Sequence, residues 1–264
     1  MNDKVIVITG ASAGIGRALA ELAAQRNARG IVLAARREGE LAALAAQLGG
    51  DRALAVPTDV TRRADNEQLR DRALARFGHI DVWVANAGRG ITRAVSELSD
   101  ADLDEMIAVN VKSVLYGIQT VLPHFRERGA GHIITVSSML ARVPFAPARS
   151  AYSAAKAAVT SLMTSLRLEL RAANSPIQTS TLMPGVVATD FGVNALHGGI
   201  DSRKLPNPQP ASEIAELIAG LIEKPRAELY STPILRDFAA RYLAAEDVAV
   251  IEAQPPFGLP GARR

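Results

Sequence analysis

The chain of 264 residues contains no cysteine. Disulfides, thiol nucleophiles and thiolate zinc sites are thereby excluded, and a reducing compartment suits the chain without being required. Redox chemistry, if there is any, has to come from a bound cofactor. Long apolar runs are missing too: no stretch approaches the roughly 20 residues that cross a bilayer. Met1-Asn2-Asp3-Lys4 passes straight into the apolar Val5 to Ile8, a start from which no signal peptide is expected. The expectation is a cytoplasmic protein with no membrane partner. Excess charge is also small. The 30 Lys and Arg against 27 Asp and Glu leave a net charge of +3, with the arginines scattered along helical stretches, so nucleic acid is not an expected partner. What is present, 48% hydrophobic and 22% charged residues, suffices for one large α/β domain over 1–264.

Short β-branched or apolar runs recur at Val5 to Ile8, Ile31 to Ala34, Ala53 to Val56, Val82 to Ala85, His132 to Val136 and Ile177 to Leu182. Between them lie alanine-, leucine- and arginine-rich stretches of helical periodicity, such as Arg17 to Asn27 and Glu40 to Leu48. Strand and helix in alternation predict a doubly wound parallel sheet in a three-layer α/β/α arrangement, whose ligands bind at the carboxyl edge of the strands. Residues 191–212 break the rhythm with His197-Gly-Gly and Pro206, Pro208 and Pro210, and are expected to form a substrate lid. Residues 255–264, opening Pro255-Pro256-Phe257-Gly258, are expected to be a flexible tail or to dock on a partner subunit.

After the first strand, Thr9-Gly10-Ala11-Ser12-Ala13-Gly14-Ile15-Gly16 opens a helix. Glycines there let the backbone approach a pyrophosphate, whose charge is met by free N–H groups at the helix N-terminus. The same residues also spell G-x-S-x-G, the serine elbow of hydrolases, with Ser12 as nucleophile. An elbow on the first strand has nothing upstream to supply a second oxyanion donor, and His79, His124, His132 and His197 have no triad context. Nor do these histidines show metal-ligand spacing, so no metal is expected.

The end of the second strand reads Leu33-Ala34-Ala35-Arg36-Arg37, with no carboxylate to accept from a ribose 2′-hydroxyl. An arginine there suits a 2′-phosphate, so NADP(H) is expected over NAD(H), with Arg36 as the main contact and Arg37 the more readily solvated.

Ser150-Ala151-Tyr152-Ser153-Ala154-Ala155-Lys156 opens a further helix, with Ser150 expected as its N-cap. Residues four apart share a face, which brings the Lys156 ammonium near the Tyr152 phenol. At about 5.5 Å and an effective dielectric near 20, that charge favours phenolate by about 3 kcal/mol and is expected to bring Tyr152 toward physiological pH.

Thr9-Gly10-x-x-x-Gly14-x-Gly16, Asn86-Ala87-Gly88, Asn110, Ser138, Tyr152-x-x-x-Lys156 and Pro184-Gly185 together resemble the short-chain dehydrogenase/reductase family, in order and spacing, over roughly residues 4 to 190. The resemblance implies a Rossmann-like single domain and hydride transfer between a nicotinamide and a carbonyl or secondary alcohol. By the same resemblance Gly10, Ser12, Gly14, Ile15 and Gly16 hold the pyrophosphate and ribose side of the cofactor. Asp59 contacts adenine, and Asn86 and Gly88 flank adenosine. Pro184, Gly185, Val187 and Thr189 meet carboxamide and phosphate. Tyr152 is the proton carrier, and Lys156 supports it and binds the nicotinamide ribose. Ser138 holds the substrate oxygen, and Asn110 holds a water linking Lys156 to solvent.

The family also implies a homodimer or homotetramer. Leu229-Tyr230-Ser231-Thr232-Pro233, where ketoacyl reductases read like Val-Asp-Gly-Gly, argues against that activity and against their usual tetramer. Met139, Leu140, Phe145, Met183 and Phe191 are expected to line an apolar substrate cavity. A nucleotide sensor without turnover is the alternative, although such a sensor has no use for the serine, tyrosine and lysine together.

Overall fold

The computed structural model describes residues 1–254, so the tail expected at 255–264 lies outside the described residues. Seven parallel strands form one sheet in the order β3-β2-β1-β4-β5-β6-β7. They are β1 (Val5–Thr9), β2 (Gly30–Ala35), β3 (Ala53–Pro57), β4 (Val82–Ala85), β5 (His132–Val136), β6 (Gln178–Met183) and β7 (Glu228–Tyr230). Six follow the β-branched runs of the sequence to within a residue or two. The three-residue β7 is carried by its register against β6, Thr181 to Met183 pairing Glu228 to Tyr230.

Side chains alternate across the sheet, as period-two geometry requires. Ile6, Ile8, Ile31, Leu33, Val82 and Val84 point to one layer, where they meet α1 (Gly14–Gln25), α2 (Glu38–Leu48) and α7 (Ala211–Glu223). Val5, Val7, Val32 and Trp83 point to the other, against α3 (Arg63–Phe77), α5 (Ser113–Arg128) and α6 (Ser150–Ala172). Strands apolar on both faces are what a parallel sheet buried between two helical layers demands.

The helix α4 (Asp100–Ile107) runs through a π-helical turn at Ala108–Lys112 into α5. The C-terminal α8 (Pro233–Leu243) and α9 (Val248–Glu252) follow β7. Strand order reverses between β1 and β4, so the crevice for a ligand opens at the carboxyl ends of those two strands. Among the described residues no helix is long and apolar enough to cross a membrane.

Candidate active site

Thr9 and Asn86 tie the two central strands together at that crevice. The Thr9 hydroxyl accepts from the amides of Asn86 and Ala87 at 3.0 and 3.1 Å, and the Asn86 side chain donates to the Thr9 carbonyl at 2.9 Å. Gly10 turns the chain with φ +69°. A Cβ on Gly16 would stand 2.4 Å from the Gly10 carbonyl oxygen and 2.7 Å from Asn86 Nδ2, so only glycine lets α1 start this close to the strand. The N-cap of α1 is Ala13, which offers no side chain to the first-turn amides, and no acidic residue stands in that turn. Free donors at a helix N-terminus, reached over glycines, fit a pyrophosphate. Gly14 (φ +54°) brings the turn against Thr189, whose Cγ2 would be 3.1 Å from an added Cβ. The segment after β6 is thereby folded back over the cradle.

Both arginines at the end of β2 are exposed. Arg37, expected to be solvated, donates from Nε and Nη2 to the Ser12 hydroxyl at 3.2 and 2.9 Å and pairs with Glu40 at 2.8 Å. Arg36 is exposed and makes no hydrogen bond or ion pair among the described residues. Asp59 accepts from the Thr61 amide and hydroxyl at 3.0 and 2.7 Å. Its carboxyl lies below the usual range: burial opposes ionisation, but the Thr61 bonds and the charges of Arg36 and Arg62 outweigh it.

Ser12 as a hydrolytic nucleophile fails on the same geometry. Its hydroxyl faces a guanidinium and has no histidine partner. The histidines are engaged elsewhere: His79 with Asp81 at 3.1 Å, His124 with the Ile80 amide at 3.1 Å, His132 with Ser180 at 2.9 Å and His197 with Asp102 at 2.6 Å. Among the described residues no group of three or more His, Cys, Asp or Glu is placed to hold a metal ion.

Ser138, Tyr152 and Lys156 are buried together where β5 ends. Lys156 Nζ donates to the Val136 carbonyl at 2.9 Å and stands 5.7 Å from the centre of the Tyr152 ring. The Ser138 hydroxyl accepts from the Leu140 amide at 3.2 Å. The adjacent Ser137 is turned away to Thr160 and the Lys156 carbonyl, at 2.9 and 3.2 Å.

The expected fall in the Tyr152 pKa is reversed by the protein's own groups. Burial pushes the phenol up to about 12, against smaller downward pulls from the Ser138 hydroxyl and the Arg149 charge. Burial also brings the Lys156 ammonium down to about 8. Desolvation disfavours both charged forms, and here it exceeds the attraction inferred from helical spacing alone. Ser150 is corrected as well: the N-cap of α6 is Arg149, and the Ser150 hydroxyl donates to the Arg93 carbonyl at 2.7 Å.

Asn110 sits fully buried in the π-helical turn. Its side chain accepts from the Arg89 amide at 3.2 Å and donates to the Arg89 and Met106 carbonyls at 3.0 and 3.1 Å. Gly88 fills the gap between Asn110 and the lysine, since a Cβ there would meet Asn110 Oδ1 at 3.0 Å and Lys156 Nζ at 3.4 Å.

The apolar candidates divide between two clusters. Leu140 and Phe191 pack with Ile91, Met106, Ala151 and Tyr152, and the Phe191 ring stands 5.3 Å from that of Tyr152. Met139 instead joins Val143 and Ala239 beneath α8, and Phe145 meets Phe238 edge-on at 6.0 Å. Met183 is fully buried at the end of β6, in register with Tyr230. Pro184 accepts from the Met139 amide at 2.9 Å, Gly185 donates to Ser231 at 3.3 Å, and Val187 bridges to Gln209. Ile15 packs, partly buried, on the first core layer.

Sequence reasoning passed over Arg149 and the Arg93–Asp102–His197 group. His197 bonds Arg93 at 3.1 Å as well as Asp102, whose carboxyl is held at about 2 chiefly by that histidine. These contacts hold the 191–201 segment to the loop after β4. No local spacing signals them, because the partners are far apart in the chain.

The model of the short chain dehydrogenase family matches residues 4–198. An uncharacterized oxidoreductase of Listeria innocua is 40% identical over 193 residues, 72% of this chain and 77% of that protein. A short chain dehydrogenase/reductase from Burkholderia phymatum, solved in complex with NAD, superposes with a TM-score of 0.84 at 28% identity, over 98% of each chain. An alcohol dehydrogenase from Thermococcus sibiricus, complexed with 5-hydroxy-NADP, gives a TM-score of 0.76 at 30% identity, over 86% of this chain and 95% of that one.

Proposed function

The chain belongs to the short-chain dehydrogenase family, and on that premise we propose an NADP(H)-preferring oxidoreductase that interconverts a carbonyl and a secondary alcohol. The observation that carries this reading is the meeting of Ser138, Tyr152 and Lys156 in one buried group at the carboxyl end of β5. Gly10, Gly14 and Gly16 with the open start of α1 would hold the pyrophosphate, and Asp59, Asn86 and Gly88 would border the adenosine. Ser12, Arg36 and Arg37 would take the 2′-phosphate. Pro184, Gly185, Val187 and Thr189 would close over the nicotinamide end. When bound, the nicotinamide supplies or accepts the hydride.

The remaining chemistry falls to the chain. A phenol raised to about 12 is protonated at neutral pH and is set to give its proton to a carbonyl oxygen. Ser138 would hold that oxygen and steady the charge developing on it. Lys156, fixed by Val136, would face the phenolate that remains, and Asn110 would support the route by which the proton is replaced. Leu140 and Phe191 favour an apolar surrounding for the reacting carbon, and the 191–212 segment that carries Phe191 serves as the lid. Self-association as a homodimer or homotetramer accompanies this reading. The exposed apolar side chains of Leu103 on α4 and Leu168 on α6 are surfaces it would cover.

The test is a panel of ketones, aldehydes and secondary alcohols with NADPH, NADH and their oxidised forms, run on the wild type and on Tyr152→Phe. Turnover that prefers the phosphorylated cofactor and falls by about a hundredfold to ten-thousandfold in Tyr152→Phe supports the reading. Cofactor binding without turnover of any compound would replace it with a nucleotide sensor.

A further inference from the structure

Several arginines rim the site, and most meet a carboxylate. Arg89 pairs with Glu105 at 3.0 Å, Arg93 with Asp102 at 3.7 Å, Arg142 with Glu228 at 2.7 Å and Arg203 with Asp201 at 3.1 Å. Arg149 is different. It is half-buried and forms no ion pair among the described residues, and its guanidinium makes one hydrogen bond, from Nη1 to the Ile91 carbonyl at 3.2 Å. Nη2 and Nε are left without an acceptor among the described residues.

The guanidinium is held where a substrate would reach it. Arg149 stands three residues before Tyr152, at the start of α6. Its backbone is pinned on both sides to one residue, with the Arg93 amide donating to the Ala148 carbonyl at 2.8 Å and the Ser150 hydroxyl donating to the Arg93 carbonyl at 2.7 Å. Two glycines make room for the head group. A Cβ on Gly90 would stand 2.9 Å from Nη1 and 2.9 Å from Phe191 Cε1, and one on Gly199 would stand 3.3 Å from Nη2. Phe191 in turn lies 5.3 Å from Tyr152, so the guanidinium, the apolar wall and the phenol share one neighbourhood.

A charge drawn partly out of water is normally matched by a counter-charge. Burial already pulls this guanidinium below its usual pKa, and the Tyr152 phenol, protonated at neutral pH, brings no negative charge to offset that. The counter-charge is absent from the described chain, and the planar fork of donors matches a carboxylate. We propose that Arg149 receives a carboxylate of the substrate, so that the reacting pair is an oxo acid and its hydroxy acid. The carbonyl then lies at Ser138 and Tyr152, and the carbon chain between lies along Leu140 and Phe191.

This rests on the oxidoreductase reading above. In reduction the hydride adds to the carbonyl carbon, the π pair of the C=O bond moves to oxygen, and that oxygen takes the proton of Tyr152. The carboxylate keeps its charge throughout. Arg149 makes and breaks no bond; it sets which carbonyl compounds bind.

The deciding measurement compares a short oxo acid with its methyl ester in the wild type, Arg149→Lys and Arg149→Gln. The wild type should favour the acid in kcat/KM by at least about tenfold, the scale of one charge-assisted contact. That ratio should fall by about ten- to hundredfold in Arg149→Gln and by less in Arg149→Lys. The loss should appear in KM more than in kcat. Because both compounds are assayed on one preparation, partial misfolding cancels from the ratio. On the wild type alone, butyrate should compete with a neutral ketone and butyramide should not. An ester preferred to its acid, an unchanged ratio in Arg149→Gln, or equal inhibition by butyrate and butyramide would each overturn the assignment. Loss of the oxidoreductase reading shows differently, as absence of turnover on acids and neutral ketones alike.

Discussion

Lys156 donates to the Val136 carbonyl at 2.9 Å, which fixes its ammonium at the end of β5 and 5.7 Å from the centre of the Tyr152 ring. The lysine thus answers to the sheet as well as to its own helix. With burial holding the phenol near 12 and the ammonium near 8, loss of a phenol proton is the uphill step at neutral pH. Alcohol oxidation, which needs the phenolate, should therefore quicken as pH rises, by up to about tenfold per unit on the alkaline side of neutrality. Carbonyl reduction, which needs the phenol, should not gain. Lys156 keeps its charge only below about 8, so Lys156→Met should slow oxidation chiefly on the neutral side of the profile and leave the alkaline limb where it was. Initial rates across the alkaline range check this, and an oxidation rate already level on the acid side of neutrality would contradict it.

Arg37 spans the Ser12 hydroxyl at one end of the cofactor turn and Glu40 on the other side. Replacing it by alanine removes a cation from the place where a 2′-phosphate would sit, without touching the glycine turn. KM for NADPH should rise by about ten- to hundredfold, with little change for NADH. Arg36→Ala should act in the same direction. Equal weakening toward both cofactors would show that the arginine shapes the turn and does not read the phosphate.

Gly16 and Gly39 make a controlled pair, because one lies against the backbone and the other against nothing. A Cβ on Gly16 would meet the Gly10 carbonyl at 2.4 Å, whereas a Cβ on Gly39 meets nothing within 4 Å. The Gly10 carbonyl cannot retreat while Asn86 ties the turn to β4. Gly16→Ala should cost about 1 to 3 kcal/mol of stability and at least about tenfold in cofactor affinity. Gly39→Ala, in a helix, should be neutral or stabilise by up to about 1 kcal/mol. Thermal melts with cofactor fluorescence titrations separate the two outcomes.

The strands were legible because β-branched runs apolar on both faces leave few alternatives to a buried parallel sheet. Glycine spacing marked the cradle for the same local reason. What could not be read depends on chain segments meeting across the fold. Ser150 resembles a cap, yet the carbonyl it reaches belongs to Arg93, 57 residues away. Arg149 carries no motif, and its partner Ile91 is 58 residues distant. For the Tyr152 pKa, spacing reveals the lysine but not the burial, and burial is the larger effect. Met139 and Leu140, adjacent in sequence, enter separate clusters because the 3-10 turn at Met139–Ala141 sends them to opposite sides.

His132 is a buried titratable group with no part in the chemistry. It is buried in β5 with Nε2 on Ser180 at 2.9 Å, while Nδ1 has no partner among the described residues. Burial lowers its pKa from 6.5 to about 4, so the folded protein keeps it neutral where an unfolded chain protonates it. Between those values the unfolded state binds more protons, and stability must fall as pH drops through the window. Complete protonation of the unfolded chain sets a cost on the order of 3 kcal/mol. His132→Gln removes the titration and should flatten the acid limb of a melting-temperature profile, whatever it does to stability at neutral pH. A variant whose melting temperature falls with acid as steeply as the wild type would place the sensitive group elsewhere.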